Sequence, residues 1–314
     1  MKKVLCIVFV LIMTFSASLP AFAAETGNKI AFDKTEKVSV EEKRPAKYSF
    51  TAPRDAVYSI YAMPMNLGGA LVTVSLNGDE SSESLMYSFE DKAEDGTVCG
   101  ACTSACCIEM LIKSGTEIEV KFEVKPEKFN FIQYGSEKGY QSDRIGKPFD
   151  FELTFSYTDV KKLNIGENKA LNDGEYFVFR PEKTGIYTFS SYSAEGNAPY
   201  AYIYEENTDI NQKYGLADSE ERDDGIFDMT VRLEEGRNYL IYFYMEDADE
   251  EHVQNGRLDC TVSQETKKTV ILFETVKYYA NKAVEKVESF FHRITDKIKE
   301  KLSPVFDKLS RFFK

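Results

Sequence analysis

Through most of the chain, apolar and polar residues alternate in short runs. Lys47-Tyr48-Ser49-Phe50-Thr51, Ala56-Val57-Tyr58-Ser59-Ile60, Tyr176-Phe177-Val178-Phe179 and Ile186-Tyr187-Thr188-Phe189 are examples, each bounded by Gly, Pro, Asn or Asp nearby. Period-two alternation rich in aromatic and β-branched residues predicts half-buried antiparallel strands. From about Lys268 the period changes. Phe273, Val276, Ala280, Ala283, Val284, Val287, Phe290, Phe291, Ile294, Ile298 and Leu302 recur at steps of three and four. That spacing predicts an amphipathic helix with one apolar stripe. Most of its lysines and Arg293 fall off the stripe, and Ser303-Pro304 breaks or kinks it before a shorter second helix.

The strand region repeats itself. Aligned without a gap, Tyr48 meets Phe177, Phe50 meets Phe179 and Tyr58 meets Tyr187. Ile108–Gly115 matches Met229–Gly236, and a further alternating run follows each Gly: Ile118–Val124 in one copy, Tyr239–Tyr244 in the other. Gly146–Leu153 resembles Gly256–Val262. Two copies of one module, each with several short strands and turns, predict two tandem jelly-roll-like antiparallel β-sandwiches followed by an α-helical tail. The join lies near Tyr157–Lys162.

The second copy carries a family resemblance. Gly174–Phe179 with Gly185–Phe189, Pro199–Glu205, and Asp223-Asp224-Gly225 with Val231–Tyr239 resemble, in that order, the motifs of the bacterial pre-peptidase C-terminal domain. The resemblance covers Lys161–Gln264 and extends to Asn28–Asp159 through the internal repeat. It implies a jelly-roll-like sandwich. Such a domain is usually a non-catalytic appendage of secreted hydrolases that binds substrate, matrix or calcium. No hydrolase domain accompanies it in these residues.

At the N-terminus Lys2 and Lys3 precede an apolar run, Val4–Phe15, too short to span a bilayer, and Ala21-Phe22-Ala23 offers a small-x-small cleavage pattern. The expected parts are therefore a secretory signal at 1–23, modules at 24–158 and 159–266, and the basic tail at 267–314 with a break near Pro304. This places the chain outside the cell or on its surface.

Charge sharpens that division. The net charge of −13 over 314 residues hides an asymmetry. Residues 267–314 hold 12 Lys+Arg against 6 Asp+Glu, a net of +6, and the signal region adds +2, so residues 24–266 carry −21. An acidic body excludes nucleic-acid binding by overall charge. A basic tail of opposite sign points to a partner of its own. Its stripe calls for burial on a membrane surface, in a partner protein or on the acidic body itself. Candidate residues for that contact are Phe273, Val276, Val287, Phe290, Phe291, Ile294, Ile298 and Leu302.

Three further groups are candidates for chemistry. Cys99, Cys102, Cys106 and Cys107 crowd nine residues; they suit one or two local disulfides in an exported protein, a four-thiolate metal site, or a redox pair. Cys260 reads as a buried core thiol. Asp223 and Asp224 lie in an acidic run whose alternatives are a solvated loop or a Ca²⁺ site, Ca²⁺ being the one candidate cofactor. Tyr200, Tyr202 and Tyr204 share one strand face and Ala201 and Ile203 the other. Turned outward, the tyrosines suit sugar stacking or an extended peptide. A fold without Trp needs large aromatics inside, which favours turning them inward or half inward.

Only two histidines occur, His252 and His292, and no nucleophile-elbow, zinc-protease or phosphate-loop motif is present. The sequence therefore points to an exported, non-catalytic binding or surface-attachment protein. Its modules would take glycan, extracellular matrix or cell-envelope protein, and its tail would hold a membrane or partner. A secreted membrane-active factor, with the tail as effector, is one alternative. A hydrolase using paired carboxylates is the other.

Overall fold

A computed structural model of the chain describes residues 30–92, 98–129, 147–172, 174–195, 197–211, 215–218, 227–246 and 257–266, with 271, 275, 276 and 279. The described chain is mainly β. In chain order the strands are β1 (Lys34–Val40), β2 (Ala46–Thr51), β3 (Ala56–Pro64), β4 (Gly68–Leu76), β5 (Asp79–Lys92), β6 (Val98–Ser104), β7 (Cys106–Ile112), β8 (Glu117–Glu123) and β9 (Phe149–Asp159). They continue as β10 (Lys161–Lys162), β11 (Gly166–Asn172), β12 (Tyr176–Phe179), β13 (Gly185–Glu195), β14 (Asn197–Glu205), β15 (Ala217–Asp218), β16 (Asp228–Leu233), β17 (Tyr239–Glu246) and β18 (Arg257–Gln264).

These strands form four sheets, ordered β1-β9-β3-β7, β2-β8-β4-β5-β6, β11-β18-β13-β16 and β10-β12-β17-β14-β15. β10 runs parallel to β12; β1 on β9, β2 on β8, β12 on β17 and β14 on β17 are antiparallel. The strand orders repeat. Matching β1, β2, β3, β4 and β5 with β11 to β15, and β7, β8 and β9 with β16, β17 and β18, makes each sheet of the first pair reappear in the second. The three segment pairs found by alignment fall on equivalent strands: β2–β3 with β12–β13, β7 with β16, and β9 with β18. The repeat extends to single hydrogen bonds. Gly115 donates its N–H to the Ala52 carbonyl at 2.8 Å, and Gly236 donates to the Pro181 carbonyl at 2.9 Å. Both glycines have positive φ, 85° and 72°, so the turn after β7 and after β16 needs the same left-handed residue. The copies differ at their edges: β5 spans 14 residues where β15 spans two, and β6 and β10 have no counterparts.

Alternation in the sequence becomes alternation in burial. In β8, Ile118, Val120 and Phe122 are buried while Glu117, Glu119, Lys121 and Glu123 are not. Large aromatics do the filling. Within the first pair of sheets, Tyr48 meets Phe155 at a ring separation of 5.2 Å and Phe122 meets Phe151 at 4.8 Å. In the second pair one buried cluster draws Phe177, Phe179, Ile241 and Phe243 from one sheet and Phe189, Met229, Cys260 and Val262 from the other. Buried hydroxyls are satisfied locally, as burial requires: Tyr187 donates to the Lys183 carbonyl at 2.7 Å, and Tyr239 accepts the Glu234 N–H at 2.9 Å.

The chain packs as two compact units. One comprises most of residues 1–156; the other comprises residues from Tyr157 onward together with two short segments, Asp55–Ser59 and Ile108–Lys113. Residues 1–29, which include the expected signal, lie outside the described residues. Ile271, Thr275, Val276 and Tyr279 have helical backbone. Phe273, Val287, Phe290, Phe291, Ile294, Ile298 and Leu302 lie outside the described residues.

Phe189 is fully buried and packs edge-on against Phe179 at 5.4 Å. Phe189→Ala is expected to lower the free energy of unfolding in urea by about 3–5 kcal/mol. Ser263→Ala, on an exposed position of the neighbouring strand, is expected to stay within about 0.5 kcal/mol of the parent.

Candidate functional site: a tyrosine face on the second unit

The strand Tyr200–Tyr204 is apolar on both faces, and the structure decides which face is inside. Ala201 and Ile203 are fully buried, and Tyr200, Tyr202 and Tyr204 lie half-buried on the other face. The reason is volume. Ala201 stands in register with Phe243, whose ring packs 5.4 Å from Phe177 and 5.8 Å from Phe227. Phenylalanines from β12, from β17 and from the residue just before β16 already fill the space, and only a small residue fits opposite them. Of the inward and half-inward expectations drawn from the absence of Trp, the structure shows the half-buried one: Phe supplies the core aromatics here, and the tyrosines lie half-buried on the face opposite Ala201 and Ile203.

Strand pairing gathers more tyrosines beside them. Tyr242 on β17 is in register with Tyr202 on one side and with Tyr176 of β12 on the other. Residues directly opposite in a sheet share a face, so Tyr176, Tyr242 and Tyr202 form a row across three strands, about 4.8 Å apart from strand to strand. Asp218 of β15 continues the row by register. Tyr200 and Tyr244 form the next row. The rings of Tyr176 and Tyr242 lie 5.6 Å apart at 38°, and both residues are half-buried. Leu240, two positions before Tyr242 on β17, is fully buried, while Tyr176, Tyr200, Tyr202, Tyr204 and Tyr242 are half-buried.

Sequence reasoning found three of these six tyrosines. Tyr176, Tyr242 and Tyr244 were visible only as members of alternating strands. Their signal was the opposite parity: Phe177 and Phe179 against Tyr176, and Ile241 and Phe243 against Tyr242 and Tyr244.

At the rim, Lys161 of β10 donates to both carboxylate oxygens of Glu175, at 2.5 and 2.6 Å. Burial works to raise the Glu175 pKa, but hydrogen bonds from Lys161 and Asn172 outweigh it and hold the carboxyl below its ordinary range. Glu123, in the first unit, behaves alike: burial is outweighed by Lys121 and Lys125. A downward shift is the wrong direction for a general acid at neutral pH. Neither carboxylate is therefore suited to protonating a leaving group. A shallow hollow of about 360 Å³ in the first unit is lined by Ser49, Phe50, Thr51, Ser75, Gly78, Glu117, Ile118 and Glu119. Glu119 there is engaged by Lys47 at 2.9 Å.

Cys102, Cys106, Cys107 and Cys260 carry thiols, and no bridge joins these four. Cys106 is buried and Cys107, its neighbour on β7, is exposed on the opposite face. Cys102 sits in register with buried Phe89 at the edge strand β6. Cys99 lies three positions before Cys102 on β6. Cys260 is fully buried, as its match to Phe151 implies, and burial pushes its thiol pKa to about 12 against a backbone hydrogen bond from Ser190. Asp223 and Asp224, the calcium candidates, lie outside the described residues. Among the described residues no group of three or more His, Cys, Asp or Glu could hold a metal ion. Among them, too, no helix is long and apolar enough to cross a membrane.

No protein-family model matches the chain, and no curated protein matches it. Among solved structures, latent PorU from Porphyromonas gingivalis is similar at 7% identity and a TM-score of 0.21, covering 74% of this chain and 22% of its own. Tripeptidyl peptidase 2 is similar at 11% identity and a TM-score of 0.26, covering 77% and 27%. The chain thus spans about a quarter of those two proteins. Bacillus subtilis oxalate decarboxylase is similar at 8% identity and a TM-score of 0.11, covering 77% and 80%.

Thiol labelling of the native protein is expected to modify Cys107 first, with Cys106 and Cys260 reacting only on unfolding. The buried Cys260 thiol also carries a pH signature. It ionises near 9 when unfolded and near 12 when folded, so its stabilisation is full below pH 9 and lost as pH rises towards 12. Cys260→Ala is expected to flatten the fall in melting temperature between those limits.

Proposed function

We propose that the chain is an exported, non-catalytic binding protein whose second module takes an uncharged linear glycan on its tyrosine face. The tail would hold the protein at the cell envelope. In this reading each unit is a jelly-roll β-sandwich. The repeated strand orders 1-9-3-7 and 2-8-4-5 support that, since they follow the pairing of an eight-stranded double-sheet roll. Export rests on the N-terminal basic, apolar and small-x-small pattern.

The observation that carries the function is the row Tyr176–Tyr242–Tyr202 with Tyr200 beside it. Tyrosine offers a flat apolar ring for the C–H face of a sugar and a hydroxyl for its oxygens. Several rings on one sheet face form a platform for an extended ligand rather than a pocket for a small one. The body charge of −21 disfavours anionic polymers, which leaves neutral glycan as the class with matching chemistry.

The test is calorimetry with soluble uncharged oligosaccharides, such as cellohexaose, laminarihexaose and xylohexaose. At least one is expected to bind, and the Tyr202→Ala/Tyr242→Ala double variant should weaken it about tenfold or more, a loss of about 1.4 kcal/mol or more. Binding that survives the double variant unchanged, or that appears only with a collagen-like or other extended peptide, removes the glycan reading.

A second reading is favoured by one observation. Val276, on the tail's apolar stripe, is 60% exposed. It supports a tail directed at something other than its own body, as a membrane-active factor would need.

A further inference from the structure

We propose that the first unit carries a soft-metal site for Cu(I) on the outward face of β3 and β7, built from the sulfurs of Met63, Met65 and Cys107. The starting observation is an exposure that core packing does not explain. Methionine is usually a buried residue, and Met86, Met110 and Met229 are at most 1% exposed. Met63 and Met65 are instead 41% and 47% exposed, and Tyr61 beside them is 45% exposed. The three share one parity of the strand and therefore one face. Ile60 and Ala62, of the other parity, are buried. Met65 follows the last residue of β3, but its N–H still donates to the Asp150 carbonyl on β9 at 2.9 Å, so it continues the strand.

The neighbouring strand brings in the third sulfur. β7 lies next to β3 in its sheet. The Ser59 hydroxyl donates to Glu109 Oε1 at 2.9 Å, which marks these residues as a cross-strand pair. Their equivalents in the second unit, Thr188 and Thr230, are in antiparallel register, and two residues further on Ser190 stands opposite Asp228. The same count sets Tyr61 opposite Cys107. Burial agrees: Cys107 is exposed between buried Cys106 and Ile108. Met63 is then one diagonal step from Cys107, about 7–8 Å between Cα atoms, within reach of a long flexible side chain. The Tyr61 hydroxyl donates to Met63 Sδ at 3.7 Å, so this thioether already acts as an electron-pair donor beside the Cys107 row.

The donor set selects the metal. Two neutral thioethers and one thiolate are soft ligands carrying a single negative charge, which suits Cu(I). Ca²⁺ and Mg²⁺ prefer oxygen ligands, and structural Zn²⁺ prefers four thiolate or imidazole ligands. The face offers neither set.

The test uses the full chain with Cys6→Ser, Cys99→Ser and Cys102→Ser, so that Cys107 is the one thiol left beside the buried Cys106 and Cys260. Anaerobic titration with Cu(I), in competition with a chromophoric chelator, is expected to give one ion per chain. In spectra of protein labelled with ¹³C in the methionine methyls, Met63 and Met65 should shift together while buried Met86, Met110 and Met229 stay. Met63→Leu/Met65→Leu keeps volume and apolarity, and Cys107→Ser keeps size; each is expected to weaken Cu(I) binding about tenfold or more. The melting temperature of the metal-free variants should match the parent, since the changes are at exposed positions. Absence of stoichiometric binding overturns the inference. So does a double Leu variant that binds as the parent does, which would assign the ion to the cysteine alone. Met63 and Met65 methyl shifts that grow with protein concentration in the absence of metal also overturn it and assign the face to a second copy. None of these variants touches the tyrosine face, so the glycan titration is read separately.

Discussion

The two-residue period of a β-strand governs this protein. Every side chain on β12, β14 and β17 is committed to one face or the other, and a shift of one residue would exchange the faces entirely. Because both parities on these strands are apolar, the choice between them is made by packing, not by hydrophobicity. Phe177, Phe179 and Phe243 meet Phe189 and Phe227 in a core that has no tryptophan, and the small Ala201 sits where they crowd. Tyrosine takes the remaining parity. Filling the core with phenylalanine thereby creates the outward aromatic face, and the proposed function follows from that allocation.

The repeat shows how the same plan was used twice to different ends. Both units keep the strand order, the aromatic core and the glycine turn that returns to a fixed carbonyl. The first unit extends its edge with the long β5 and with β6, which carries Cys99 and Cys102. The second shortens that edge to the two-residue β15. Equivalent outward positions diverge in chemistry: Lys47, Ser49, Glu119 and Lys121 of β2 and β8 stand where the second unit has Tyr176, Val178, Leu240 and Tyr242, so the tyrosine face belongs to one copy alone.

Much of the fold was legible in the sequence because strand alternation and the repeat are local patterns. Tyr48, Tyr58 and Phe151 fell on buried positions as their matches Phe177, Tyr187 and Cys260 did. The site was legible only in part. Tyr200, Tyr202 and Tyr204 could be grouped, but their direction depended on residues some forty positions away. Tyr176 and Tyr242 join them through register, which sequence spacing does not encode. The cysteine cluster shows the limit of spacing alone: Cys106 and Cys107 are neighbours in sequence, yet the extended strand buries one and leaves the other exposed.

The central claim is that the outward tyrosines, and not the loops or the first unit, contact the ligand. Its most direct test is NMR of the protein labelled with ¹³C in the tyrosine rings, titrated with the oligosaccharide that binds best. The account predicts that ring resonances of Tyr200, Tyr202 and Tyr242 move together with one affinity, while buried Tyr48, Tyr187 and Tyr239 stay fixed. Perturbations confined to tyrosines of the first unit, or none in the presence of a saturating ligand, would contradict it.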